Sequence, residues 1–127
     1  MPPRRPTEVE LELLQLLWDQ GPSTVREIYN LLDGKRGYTS VLKHFQIMSD
    51  KGLVDRELIG QSHRYSAQDN EQDTQRSIVR HLVDGAFRKS SHALVMRALD
   101  EHETTSEELA EIRKLIDKLE TEQKNER

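Results

Sequence analysis

A chain of 127 residues with no cysteine and a formal net charge of −4 excludes a disulfide framework and a thiolate metal site, and leaves little room for a large catalytic cavity. The length suits one domain, or a small domain of about 65 to 70 residues with a helical appendage. No apolar run approaches the roughly 18 residues that span a membrane, and Met1 to Pro6 leads into an amphipathic segment rather than a secretory signal, so a soluble, cytoplasmic protein is expected.

Thr7-Glu8-Val9-Glu10 has the pattern of a capping box, and Val9, Leu13, Leu16 and Leu17 with Trp18 make a helical stripe that Gly21-Pro22 ends. Thr24-Val25-Arg26-Glu27 repeats the pattern and opens a short helix, whose Val25, Ile28, Leu31 and Leu32 are expected to face inward until Asp33-Gly34. A third helix follows Gly37, with Val41, Phe45 and Met48 at i, i+4 and i+7 on one face. Thr39, Lys43, Gln46 and Asp50 fall opposite, with Ser40 and Ile47 on the flank. Lys51 and Gly52 are helix-stop chemistry, a cation in the last turn and then a residue that tolerates a left-handed backbone. Val54 to Leu58 and His63 to Ala67 read as two short strands joined through Gly60-Gln61-Ser62. Residues 7–68 thus read as a winged helix-turn-helix, mainly α with a small β-hairpin wing, a module that lays its third helix in the major groove of DNA.

Gln68-Asp69-Asn70-Glu71 is a polar link, and everything beyond it reads as helix. Ile78, Val79, Leu82, Val83, Ala86 and Phe87 make a broad stripe over about Asn70 to Arg88, and Ala93 to Leu99, with Leu94 among them, is apolar apart from Arg97. The last helix starts from Thr105 with Glu108 three residues on, and Leu109, Ile112, Ile116 and Leu119 are spaced as in a coiled-coil seam. Three short helices have little else within the chain to pack against. Residues 69–122 are therefore expected to be a helical dimerisation domain, with Ile78, Leu82, Phe87, Leu94, Leu109, Ile112, Ile116 and Leu119 between two copies of the chain. Met1 to Pro6 and Thr121 to Arg127 are expected to be disordered tails.

The acidic total argues mildly against nucleic acid, but its distribution does not. Residues 35–64 carry Lys35, Arg36, Lys43, Lys51, Arg56 and Arg64 against Asp50, Asp55 and Glu57, whereas residues 70–127 carry 13 acidic against 10 basic residues. On the third helix, Thr39, Ser40, Lys43 and Gln46 are placed to reach base edges; Lys43 could donate to guanine and Gln46 could bind adenine. Ser23, Thr24 and Tyr38 lie at helix starts, where hydroxyls and main-chain N–H groups hold phosphates, although Thr24 serves equally well as a cap. Lys35, Arg36, His63 and Arg64 are expected at the backbone or minor groove, against the plain alternative of solvated surface charge.

No metal or cofactor is expected. His44, His63, His81, His92 and His102 never fall at i, i+4 on one helix, and there is no glycine-rich phosphate loop, zinc motif or nucleophile elbow. Ser90-Ser91-His92 reads as a helix cap, so no enzyme is expected. The alternatives to a DNA-binding repressor are a winged-helix module that binds protein and, far behind, a small hydrolase.

Over nearly its whole length the chain resembles the penicillinase-repressor family of bacterial winged-helix regulators (BlaI, MecI and CopY type). The likeness is carried by Leu14 to Trp18 with Gly21-Pro22, Thr24 to Ile28, Gly37 to Leu42, Lys51 to Val54, Tyr65-Ser66, Leu94-Val95 and Ser106 to Leu109. It implies a dimeric repressor on a palindromic operator, with double-stranded DNA and a second copy as partners. It also implies a membrane-bound sensor peptidase, or a protease downstream of it, as a partner, with no insertion of the repressor itself in the membrane. Two departures qualify this. Copper-responsive members use a cysteine-rich tail, which is missing here. Penicillin-responsive members are cut within the dimer domain, often at an Asn-Phe bond, where this chain aligns Arg97-Ala98. Control by proteolysis would need a peptidase of another preference.

Overall fold

The computed structural model describes residues 5–126. The elements are α1 (Glu8–Gln20), β1 (Ser23–Thr24), α2 (Val25–Leu31), α3 (Tyr38–Lys51), β2 (Val54–Ile59), β3 (Ser62–Ala67), α4 (Glu71–Asp84), α5 (Ser91–Glu101) and α6 (Ser106–Asn125). They divide into two compact units, the first ending at His81 and the second starting at Leu82, so that α4 crosses the division.

In the first unit the helix starts are set locally. Thr7 caps α1 and Thr24 caps α2, each hydroxyl accepting from the main-chain N–H three residues on, while Glu10 and Glu27 reach back to the cap N–H. Gly21 ends α1 at φ +82°, and Gly52 ends α3 in the left-handed region at φ +78°, a conformation glycine adopts without steric cost. The apolar stripes meet in one core: Leu13, Leu14 and Leu17 from α1, Val25 and Ile28 from α2, Val41, Phe45 and Met48 from α3, closed by Leu32, Leu53, Val54 and Tyr65. Leu31 departs from expectation. It is 48% exposed, because a helix of seven residues turns only a narrow face inward and Val25, Ile28 and the capping residue Leu32 fill it.

The sheet is larger than the expected hairpin. β2 and β3 pair antiparallel with Ile59 opposite Ser62, so the turn is Gly60-Gln61, and each strand is one residue longer than its pattern suggested. β1 adds a third strand in the order β1-β3-β2, Ser23 opposite Tyr65 and Thr24 opposite Arg64. Two residues are too few for an alternation to register, so this strand is set by tertiary pairing alone.

A buried ion pair locks α1 to the end of α3. Glu10 is only 2% exposed and accepts from Lys51 Nζ at 2.6 Å and from the Thr7 N–H at 2.9 Å. Burial opposes ionisation of Glu10, but the Lys51 hydrogen bond, the Thr7 N–H and the Lys51 charge together outweigh it and hold the carboxyl below its ordinary value. A carboxylate with a lowered folded-state pKa stabilises the protein above its unfolded pKa, and this contribution is lost as pH falls through the folded value. The urea midpoint of the first unit, followed by Trp18 fluorescence, is therefore expected to fall as pH drops below about 4.5, the ordinary value. Glu10→Gln should flatten that acid limb; an unchanged pH profile would remove Glu10 from the acid response.

The three C-terminal helices are differently built. No residue of α4, α5 or α6 is buried. α4 stops at Asp84, short of the Arg88 its stripe suggested, because the chain turns at Gly85 and runs through left-handed Arg88 and Lys89 at φ +50° and +67°. The turn is held by Phe87 N–H to Leu82 O and Lys89 N–H to Val83 O. Ser90 then caps α5, and Thr105 with Glu108 forms a full capping box for α6. α6 continues to Asn125, where a disordered tail was expected from Thr121. Residues 119–125 contain no glycine or proline to stop a helix, and Thr121 donates to Asp117 O at 2.9 Å. Of the expected tails, residues 1–4 and 127 lie outside the described residues.

Candidate nucleic-acid interface

α3 has two faces of opposite chemistry. Val41, Phe45 and Met48 are fully buried, whereas Thr39, Ser40, Lys43 and Gln46 are exposed on the other side, joined by Ile47 at 41%. The expected base-reading residues therefore share one solvent-facing surface. Ile47 adds what sequence reasoning left on the flank, an apolar side chain of the kind that can meet a thymine methyl.

At the start of α3 the cap is Gly37, which offers no side-chain hydrogen bond, unlike the capped starts of α1, α2, α5 and α6. Tyr38 opens the helix, 36% exposed, with the Tyr29 ring edge-on at 5.6 Å. Arg26 comes from α2 to lie 4.5 Å from the centre of the Tyr38 ring. This arginine was not singled out from the sequence. Its only sequence signal is the i, i+3 spacing to Tyr29, and its partner Tyr38 belongs to another helix.

The wing is anchored at its base and open at its tip. Tyr65 is buried with its ring 4.8 Å from that of Phe45, while Leu58, at 63% exposure, and His63 stand opposite each other near the turn. Arg64 is exposed, opposite Glu57 on one side and Thr24 on the other. Thr24 holds Glu27 in two ways: its main-chain N–H, the larger influence, and its side chain keep that carboxyl below its ordinary value, with a further pull from Arg64.

Ser23 and Arg36, expected at the phosphate backbone, make contacts within the protein. Ser23 is buried, and its hydroxyl donates to Gly21 O at 2.8 Å, which stabilises the bend before β1. Arg36 turns back on Glu12 of α1 at 3.1 Å, so its charge is largely matched within the protein. Lys35 is exposed. Among the described residues no group of three or more His, Asp or Glu side chains could hold a metal ion.

The expected dimer residues are exposed or half-buried. Leu82, Ile116 and Leu119 are 41 to 48% exposed, and Ile78, Phe87, Leu94, Leu109 and Ile112 are intermediate. Val79, Val95, Met96 and Leu115 add apolar surface that the sequence-based set omitted.

No curated protein matches the chain. Among solved structures it is similar to a homodimeric winged helix-turn-helix DNA-binding domain from Mycobacterium bovis, a possible ArsR-family transcriptional regulator. That likeness has 24% identity and a TM-score of 0.44, covering 65% of this chain and 73% of the other. The family profile described as penicillinase repressor matches residues 6–118, nearly the whole described length. With that match and a winged helix-turn-helix carrying a free polar face on α3, the chain belongs to the penicillinase repressor family.

Proposed function

We propose that the protein is a transcriptional repressor that binds a palindromic operator as a homodimer, with residues 7–68 on the DNA and residues 69–122 joining the two copies. The observation that carries this reading is the division of α3 into a fully buried apolar face and an exposed face bearing Thr39, Ser40, Lys43 and Gln46, immediately followed by a wing. α3 enters the major groove; Lys43 and Gln46 read base edges, and Thr24, Lys35, Tyr38, His63 and Arg64 lie along the backbone. In a dimer the two α3 helices occupy successive major grooves about 34 to 36 Å apart, which is why the operator should have inverted halves. Exposed apolar side chains on all three C-terminal helices support pairing with a second copy. No described helix is long and apolar enough to cross a membrane.

A sensor peptidase or downstream protease acting at Arg97-Ala98 would meet these residues in the middle of α5, exposed but helical. Cleavage there would need α5 to open locally.

The test is a retardation and footprinting experiment on the DNA upstream of the protein's own gene. Two protected inverted halves are expected, and no retardation at low salt would favour a protein-binding winged helix. Lys43→Ala should cost about 1 to 3 kcal/mol on the protected site and relax preference at one base position. A uniform loss on every sequence would move Lys43 to a phosphate.

A further inference from the structure

The groove between the start of α3 and the tip of the wing has no assigned occupant. It is a cleft of about 240 Å³ lined by Thr24, Arg26, Tyr38, Gln61 and His63, with Tyr65 among its apolar lining. No carboxylate lines it, although the protein as a whole is acidic. Glu27, next to Arg26 in sequence, is not among the lining residues, and its carboxylate accepts from the Thr24 N–H at 3.0 Å. The cleft therefore presents one full cation and several hydrogen-bond donors without a competing anion.

Arg26 is held for use there. Its guanidinium lies 4.5 Å from the Tyr38 ring centre and 5.6 Å from that of Tyr29, and the two rings meet edge to face at 78°. A guanidinium lying over a ring keeps its in-plane N–H donors free, and Arg26 makes no ion pair or hydrogen bond among the described residues. Ring contact also limits the side chain's freedom before any ligand arrives, which lowers the entropy lost on binding. The geometry points to a phosphodiester site: Arg26, laid over Tyr38, seats one DNA backbone phosphate in this groove, with Gln61 and His63 closing on it from the wing. This assignment rests on the DNA-binding reading above and adds to it a residue and a contact. The fixed fork of Arg26 suits phosphate oxygens, whereas the contact reads no base.

The experiment measures binding of the full-length protein, across a salt series, to two duplexes of equal length, one carrying the gene's own upstream region and one of scrambled sequence. Arg26→Gln is expected to weaken both by about tenfold and to reduce the slope of log K against log salt by about 0.9, one phosphate's worth. Arg26→Lys should keep the slope but bind more weakly, since it retains charge without the planar fork. Tyr38→Leu should weaken binding, because it removes the ring over which the Arg26 guanidinium lies. If wild type binds and Arg26→Gln matches it in affinity and slope, the site is overturned while the DNA-binding reading stands. A loss in Arg26→Gln with an unchanged slope would also overturn it, assigning Arg26 to positioning Tyr38. If wild type itself fails to bind either duplex, both readings fall. Should Arg26→Gln prove unfolded by its Trp18 emission, the contrast between Arg26→Lys and Tyr38→Leu decides: equal slopes with wild-type affinity in both would remove the site.

Discussion

Phe45→Ala is expected to destabilise the first unit by about 3 to 5 kcal/mol, the usual cost of emptying a buried aromatic site. Phe45 is fully buried at the middle of α3, and its ring touches Tyr65, whose own ring fills the base of the wing. Alanine would leave a void that neither α1 nor the sheet can close without moving the stripe they share. Small domains hold only about 5 to 15 kcal/mol in all, so the loss is a large fraction of the total. Each kcal/mol shifts the melting point of a domain this size by about 4 to 8 °C. Thermal unfolding of the full-length protein reports it directly. Trp18, the sole tryptophan, donates from its indole N–H to Asp69 O at 3.0 Å and so reads the integrity of this unit. A drop below about 1 kcal/mol would mean that the surrounding side chains collapse into the gap, against a closely packed core.

Ile116→Asp carries the second large effect, and it tests the proposed dimer. Ile116 is 48% exposed on α6, flanked by Leu115 at 56% and Leu119 at 48%. In a seam between two copies an aspartate at this position would place a charge from each copy in a desolvated contact, at a cost of several kcal/mol per ion. Sedimentation is expected to show wild type as dimers and the variant as monomers at micromolar concentration, with operator affinity falling in step because the two halves no longer bind as one unit. A variant that sediments as a dimer would remove this seam from the interface. A wild type that sediments as a monomer would remove the dimer.

Much of the architecture is written in short-range chemistry and is therefore readable along the chain. Thr7 with Glu10, Thr24 with Glu27 and Thr105 with Glu108 fix three helix starts, and Gly52 fixes the end of α3, because caps act over three or four residues. The stripe Val41, Phe45, Met48 was equally plain, since its period is that of the helix itself. What escaped depends on residues far apart in sequence. Lys51 reads as a helix-end cation, yet it also neutralises buried Glu10, 41 residues away. Arg36 reads as a free charge, yet Glu12 of α1 claims it. The Arg26 contact with Tyr38 needs the loop between α2 and α3 to fold back, and no local pattern announces that. Most of the exposed face of α3 was foreseen by elimination: whatever lies opposite a buried stripe is left to solvent.

Thr24 serves two structures at once, as the cap of α2 and as the rung of the sheet opposite Arg64. The hairpin is consequently no loose flap. Its inner strand is laced by main-chain bonds to the segment that launches the second helix, so swinging it outward would tear a ladder and fray a helix together. Any duplex that settles there meets a rigid saddle whose shape was paid for during folding, and mismatch must be absorbed by the DNA.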